Sequence, residues 1–402
     1  MKTVAETQDF LSALSCCCND VEIVALEQAC GRVAATLTLA PLNIPPEDNS
    51  AMDGIAINCS DFKTAPSSMM ISQRIPAGLA PRPLAAGTAA RIFTGGVIPE
   101  NADCVVIQEN CEFVGDDRVV INSSPKPGDN IRPHGQDIRK GAQVISAGQI
   151  LTPIDVSLLS SIGVAELAVR QRLRVAIFST GDELVEPGTP LKSGQIYNSN
   201  RILLKLLCRQ FEVDVIDVGL VEDTLEATKV ALADAAQRAD LIISSGGVSV
   251  GEEDHVKPAV EQLGRLDLWK VQMKPGKPVA FGRIGDSAFI GLPGNPVSSF
   301  VVFQLLGVPL IRALQGAKIE RPRVIPIRAS FNKPHVTREE YIRVRISLND
   351  GGETSVERFG NLSSGVLSSL SWADGLVKQG ANNAICAGDL VDFLPLRNSS
   401  LW

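Results

Sequence analysis

At 402 residues, with 45% hydrophobic and 21% charged, the chain has material for two to four domains, because a single core rarely grows past roughly 250–300 residues. A formal net charge of −7 argues against a general nucleic-acid footprint, so an anionic ligand has to be held by a local cluster of donors. Nine cysteines without a CxxC pair and only three histidines argue against a disulfide framework, a zinc site and a His-based metal or triad site.

Residues 5–15 and 26–36 are expected as two amphipathic helices, with Phe10, Leu11 and Leu14 on one face of the first. Cys16, Cys17 and Cys18 read as reduced thiols in a helix-end loop, since adjacent cysteines do not converge on one tetrahedral ion unaided. Glu6, Gln8 and Asp9 lie where the apolar stretch of an export signal would fall, so the expected location is the cytoplasm. From residue 41 to about 140, short runs such as Ile55-Ala-Ile57 and Cys104-Val-Val-Ile107 alternate with Gly, Pro, Asn and Asp, the texture of a β-rich domain. Thr152-Pro153 starts a helix to Ile162, which is expected to rejoin the N-terminal helices. The β-rich domain (41–140) would then be inserted into a helical linking domain made of 1–40 and 141–170.

Arg174-Val-Ala-Ile-Phe178 opens a regular alternation. Helices near 199–210, 224–238 and 254–263 separate strands at Val213–Val218 and Leu241–Ser245. A strand pair at 279–291 and a closing helix, Pro296–Leu314, complete an α/β domain (171–318) with a mostly parallel sheet. Its most apolar stretch, Phe300 to Ile311, is shorter than the ~20 residues that span a bilayer, so no membrane span is expected. Residues 319–402 return to β texture and are expected to close a small barrel.

Four signatures crowd the α/β domain: Ser179-Thr-Gly-Asp-Glu183, Ser244-Ser-Gly-Gly-Val-Ser-Val-Gly-Glu-Glu-Asp254, Lys274-Pro-Gly-Lys277 and Leu292-Pro-Gly-Asn-Pro296. Gly-rich turns at strand ends expose backbone N–H groups, and open α/β sheets bind ligands there. Gly246, Gly247, Ser249, Asn295 and Ser298 are the candidate phosphate contacts, and Lys274 and Lys277 flank a tight turn able to aim two ammonium groups at one anion. Glu183, Asp223 and Asp254 suit Mg²⁺, which bridges carboxylate to phosphate. Helix capping accounts for an Asp at a helix start as well, and for Asp223 it does so at least equally. No phosphate-loop Gly-Lys-Ser/Thr and no Gly-x-Gly-x-x-Gly is present, which leaves electrostatic positioning as the main catalytic device.

These motifs, with Pro45-Pro-Glu-Asp-Asn-Ser-Ala-Met-Asp-Gly54, Arg91-Ile-Phe-Thr-Gly95, Gly128-Asp-Asn-Ile-Arg132 and Gly135-Gln-Asp-Ile138, resemble the molybdopterin molybdenumtransferase family, which includes the E domain of gephyrin. The likeness runs from about residue 5 to the C-terminus, and Ile55 departs from the aromatic usual after Asp-Gly. The resemblance implies Mg²⁺-dependent insertion of molybdate into adenylated molybdopterin with release of AMP. It implies catalytic roles for Asp53, Thr94 and Asp137, and anion-binding roles for Arg343 in Glu340-Tyr-Ile-Arg-Val344 and Ser364 in Leu362-Ser-Ser-Gly365. Molybdate would be held by Lys274, Lys277, Ser298, Arg343 and Ser364. The family is an elongated homodimer, so Asp53 and Thr94 would come from the neighbouring subunit. Two alternatives stand beside it, a molybdopterin adenylyltransferase, whose Gly-Gly-Thr-Gly is here Gly246-Gly-Val-Ser249, and a non-catalytic scaffold.

Overall fold

The computed structural model describes residues 1–14, 20–248, 254–318, 322, 324–348 and 352–396. Its centre is a six-stranded sheet made of β1 (Arg174–Thr180), β2 (Asp214–Val221), β3 (Leu241–Ser245), β4 (Arg265–Trp269), β5 (Ala280–Ile284) and β6 (Ser287–Leu292), in the order β2-β1-β3-β6-β5-β4. The first four in that order pair in parallel, and β5 and β4 add an antiparallel edge. Alternate residues of β1 serve opposite faces, as the pleat requires. Val175 and Ile177 pack with Leu204 and Leu207 of helix α1 (Ser199–Arg209), whereas Ala176 and Phe178 pack with Leu232 and Ala235 of α2 (Leu225–Arg238) and Val256 and Ala259 of α3 (Val256–Leu263). The result is a three-layer α/β domain. The strand β4 was not expected from its charged sequence; it forms because Leu266 and Leu268 pair beside β5 at the sheet edge.

The closing helix α4, Pro296–Leu314, is 19 residues long with a mean hydropathy of 1.8, enough by length and composition to cross a membrane. It is 89% buried inside the protein, so it is the core helix of this domain. A wider π turn at Phe303–Gly307 interrupts it just before Pro309, whose missing N–H cannot continue the regular ladder.

Two expectations for the N-terminal region fail. Residues 26–36 form only a 3₁₀ turn at Leu26–Ala29, after which Gly31 takes φ +78° and the chain runs extended through bridges of Val33 to Ile150 and Ala34 to Val169. Apolar residues at that spacing fit a helix, but here they line a β-lined core with Ile145, Leu151, Leu159 and Val169. The helix Val4–Ser12, capped by Thr3 with Glu6 reciprocating, does not join that core. Its Val4 and Leu11 pack on the central domain, so the helix Pro153–Ser161 meets the 3₁₀ turn instead. Residues 16–18, the cysteine run, lie outside the described residues.

Between these segments, six strands from residues 54–57, 67–75, 88–92, 104–107, 111–114 and 118–121 make a separate sheet. Ile55 is fully buried in its core, so the departure from an aromatic there is absorbed by packing. In the C-terminal region the strands Ile325–Ala329, Glu339–Leu348, Thr354–Arg358, Gly375–Gln379 and Leu390–Pro395 close on themselves through pairing of the second with the fourth. This is the expected barrel, with Met273–Lys274 of the central domain added in parallel to Glu339–Glu340.

Candidate functional site

The carboxyl ends of β2, β1, β3 and β6 stand side by side and open on a cavity of about 730 Å³. That size suits a nucleotide-sized ligand. Thr180 to Leu184 continue β1, Asp223 follows β2, Ser245 to Val248 follow β3, and Pro293 to Pro296 follow β6. The glycines are required by close approach. A Cβ on Gly246 would sit 2.4 Å from the Thr180 carbonyl oxygen, and one on Gly247 would meet Val256 Cγ2 at 2.4 Å. Their φ of +95° and +64° adds a second reason. The Gly246 N–H is already donated to the Leu292 carbonyl (3.1 Å), so it ties two walls together rather than facing a phosphate.

Three carboxylates line the cavity: Glu183, Asp223 and Asp254. Capping explains neither aspartate. Helix α2 is capped by Thr224, whose Oγ1 accepts from Ala227 N–H, and Asp223 instead accepts a 2.8 Å bond from Thr180 Oγ1. Before α3, His255 makes no side-chain cap bond, and both carboxylate oxygens of Asp254 are buried with no hydrogen-bond partner among the described residues. Burial first, then the neighbouring Asp223 charge, pushes the Asp254 carboxyl up to about 7; Lys257 and the nearby Val256 N–H, which makes no hydrogen bond to it, pull the other way. Two bare oxygens beside a second carboxylate fit a hard divalent cation.

No Lys or Arg lines this cavity among the described residues, so the Lys274-Pro-Gly-Lys277 signature does not bring its ammonium groups to the cavity wall. Lys274 and Lys277 are exposed on the connection from β4 to β5, where only Pro278 reaches the cavity wall. Lys274 Nζ lies 3.4 Å from Glu340 Oε1, and Glu340, 3% exposed, also pairs with Lys333 at 3.1 Å. Gly276 between the lysines has φ +100° and no room for a Cβ, which would meet Val302 Cγ2 at 2.3 Å.

Ser298 is buried in the first turn of α4, and the Val297 N–H is taken by the Ser364 carbonyl (3.0 Å), so that helix start is less open than expected. Asn295 makes no side-chain cap bond and lines the cavity. Arg343 requires a correction. Its guanidinium is buried and donates to Ser369 Oγ (3.0 Å) and to the carbonyls of Leu362, Asn361 and Ser363 (3.2, 3.1 and 3.0 Å). It positions the loop carrying Ser364; it does not present a free fork to an anion. Ser249 lies outside the described residues.

Asp53, Thr94 and Asp137 do not line the cavity of their own chain. Asp53 Oδ1 accepts from the Thr94 N–H (2.7 Å) and Oγ1 (2.8 Å), and these bonds hold the exposed carboxyl below its usual range. Gly54 beside it is enforced, since a Cβ would sit 2.0 Å from the Val106 carbonyl oxygen. Asp137 is exposed, with its N–H donated to the Ile44 carbonyl.

Two contributors escaped the sequence reading. Thr180 orients Asp223, and Asn200 of α1 donates to Ser245 Oγ (2.9 Å) and the Gly294 carbonyl (2.7 Å), stitching two walls of the cavity. An Asn buried in a helix's first turn, just after the N-cap Asn198, was the available signal.

Three family descriptions match the chain in order: the MoeA N-terminal region (domain I and II) over residues 2–163, a probable molybdopterin binding domain over 176–313, and the MoeA C-terminal region (domain IV) over 326–396. A molybdopterin molybdenumtransferase of Haemophilus influenzae is 38% identical over 383 residues, covering 94% of this chain and 95% of its own. Molybdopterin molybdenumtransferase 2 of Mycobacterium tuberculosis is 36% identical over 390 residues, with 94% and 95% covered. The solved molybdopterin biosynthesis MoeA protein of Pyrococcus horikoshii superposes with a TM-score of 0.82 at 26% identity, over 98% of this chain and 100% of its own. The chain belongs to the molybdopterin molybdenumtransferase family, transferases of molybdenum cofactor biosynthesis.

Proposed function

We propose that the chain inserts molybdate into adenylated molybdopterin, releasing AMP in an Mg²⁺-dependent reaction, and that it works as a cytoplasmic homodimer. The observation that carries this reading is the bare Asp254 carboxylate beside Asp223, in a nucleotide-sized cavity without a cationic side chain among its described lining residues. A pyrophosphate ester entering that space needs a counter-ion; Asp254, Asp223 and Glu183 do not all come within 4.8 Å of one another, so they would hold one together with phosphate oxygens and water. Mg²⁺ there would neutralise phosphate charge and the charge that develops on the departing AMP. Thr180 keeps Asp223 oriented, and the glycines let the turn pack flush against β1. Purified protein given adenylated molybdopterin, molybdate and Mg²⁺ should release AMP and reactivate a cofactor-free molybdoenzyme. AMP release without reactivation at any molybdate level would replace this reading with a hydrolase.

Molybdate is a dianion, and Lys277, Ser298 and Ser364 lie within two residues of the cavity-lining Pro278, Pro296 and Gly365, with Lys274 farther off at the start of the same turn. Lys277→Ala is expected to cost roughly 1.5–3 kcal/mol of molybdate binding, one to two decades, as for other hydrogen bonds to charged groups. Lys274→Ala should cost less, because Glu340 already offsets part of its charge. Molybdate titration of both variants checks the order; wild-type affinity in Lys277→Ala would remove this segment from the site. Asp53 and Thr94 would complete the partner's site, which accounts for their distance from the cavity lining of their own chain.

A further inference from the structure

Away from the cavity, in the β-rich region, three more ligand-type side chains converge. Cys59 opens the 3₁₀ turn Cys59–Asp61 just after strand Gly54–Ile57, and Cys104 opens the adjacent antiparallel strand Cys104–Ile107. The register sets Ile57 opposite Cys104, so Cys59 stands beside it, with the two Sγ atoms 3.2 Å apart. Asp103 immediately precedes Cys104, and its Oδ1 accepts the Cys59 N–H at 2.7 Å. One ligand atom from each of the three lies within 4.8 Å of the others, and no other such group occurs among the described residues.

The plain alternative is a pair of thiols filling the core with Ile57, Val119 and Ile121. Geometry favours a cation over that filler role: one ligand atom from each of two thiols and a carboxylate lies within 4.8 Å of the others. A thiophilic cation displaces the thiol protons as it binds. Cys59 and Asp103 are half-buried, which leaves a way in from solvent, while Cys104 is fully buried.

We propose that Cys59, Cys104 and Asp103 form a zinc site, with water as the fourth ligand, that pins the 59–61 turn to the 104–107 strand. Zn–S bonds of about 2.3 Å in a tetrahedron need sulfurs about 3.8 Å apart, so the pair opens by roughly half an ångström. Binding releases two protons, so two thiolates and one carboxylate surround the dication and the site's net charge is unchanged. The Cys59 N–H bond to Asp103 serves as the outer support that fixes a ligating carboxylate.

The test uses the full chain with Cys16, Cys17 and Cys18 changed to Ser, which removes the other run of thiols, freed of metal and reduced. Co²⁺ should bind at one equivalent with a thiolate-to-cobalt charge-transfer band, and one equivalent of Zn²⁺ should displace it. Zn²⁺ should raise the melting temperature of this parent. Cys59→Ser should weaken Zn²⁺ binding by more than roughly 100-fold, beyond what an outer-shell change costs. Asp103→Asn keeps the acceptor for the Cys59 N–H, so its turn survives, and it should lose at least roughly tenfold. No charge-transfer band in the folded parent, or parent-like Zn²⁺ affinity in either folded variant, overturns the site and leaves a core thiol pair.

Discussion

Asp254→Asn is expected to cut turnover by about 10²–10³, the usual cost of one preorganised electrostatic contact, while making the metal-free protein more stable. The carboxylate removed is buried, unpartnered among the described residues and repelled by Asp223. Its folded pKa of about 7 lies above the ordinary aspartate value of 3.8, so the unfolded chain ionises first. Wild-type stability therefore falls as pH rises from about 4 to about 7 and stays reduced above that, and the variant lacks this fall. We expect the variant to gain about 1–2 kcal/mol at pH 8, below the full linkage value because solvent reaches the open cavity, and nothing at pH 4. Saturating Mg²⁺ is expected to bind only the folded wild type, and so to shrink or reverse the gap. Thermal melts at both pH values, with and without Mg²⁺, read all of this. Equal melting at pH 8 without metal would mean that Asp254 has a partner in solution.

Mixing inactive Asp53→Ala and Asp254→Ala chains should restore about a quarter of wild-type activity. In a two-fold dimer with shared sites, random exchange makes half the dimers mixed, and each mixed dimer holds one intact site and one doubly damaged one. Asp53 and Thr94 bond to each other on an exposed surface, outside the cavity of their own chain, so they are free to serve a neighbour. Light scattering should give twice the 42.8 kDa chain mass. No recovery, with mixed dimers demonstrated by mass, would put both residues to work within one subunit or take Asp53 out of the chemistry.

Much of the fold was legible because it rests on strict periodicities. The parallel core strands are nearly continuous apolar runs, and the β texture of residues 319–402 includes the alternating stretch Tyr341-Ile-Arg-Val-Arg-Ile346, which lies in a barrel strand. Residues 26–36 were misread because apolar spacing cannot say whether a segment coils or threads between strands; Gly31 at φ +78° decided it. At the site, the carboxylates and glycines could be located from strand ends alone. The role of Arg343 could not, because its partners are loop carbonyls, which carry no side-chain signature. Nor could the separation of Lys274 from the cavity, which depends on a barrel strand some 65 residues downstream of it in the chain, counting from Lys274 to Glu339.

One strand of the barrel, Glu339–Leu348, holds two neighbouring segments at once. Glu340 takes Lys274, and Arg343, three residues on and so on the opposite face, clasps the carbonyls of the 361–363 loop. Because side chains alternate, sliding this strand by one residue would turn both away together. Assembly of the barrel is thus an all-or-nothing checkpoint: a chain whose barrel closes out of register would lose its hold on Lys274 and on the 361–363 loop together, instead of losing one and keeping the other.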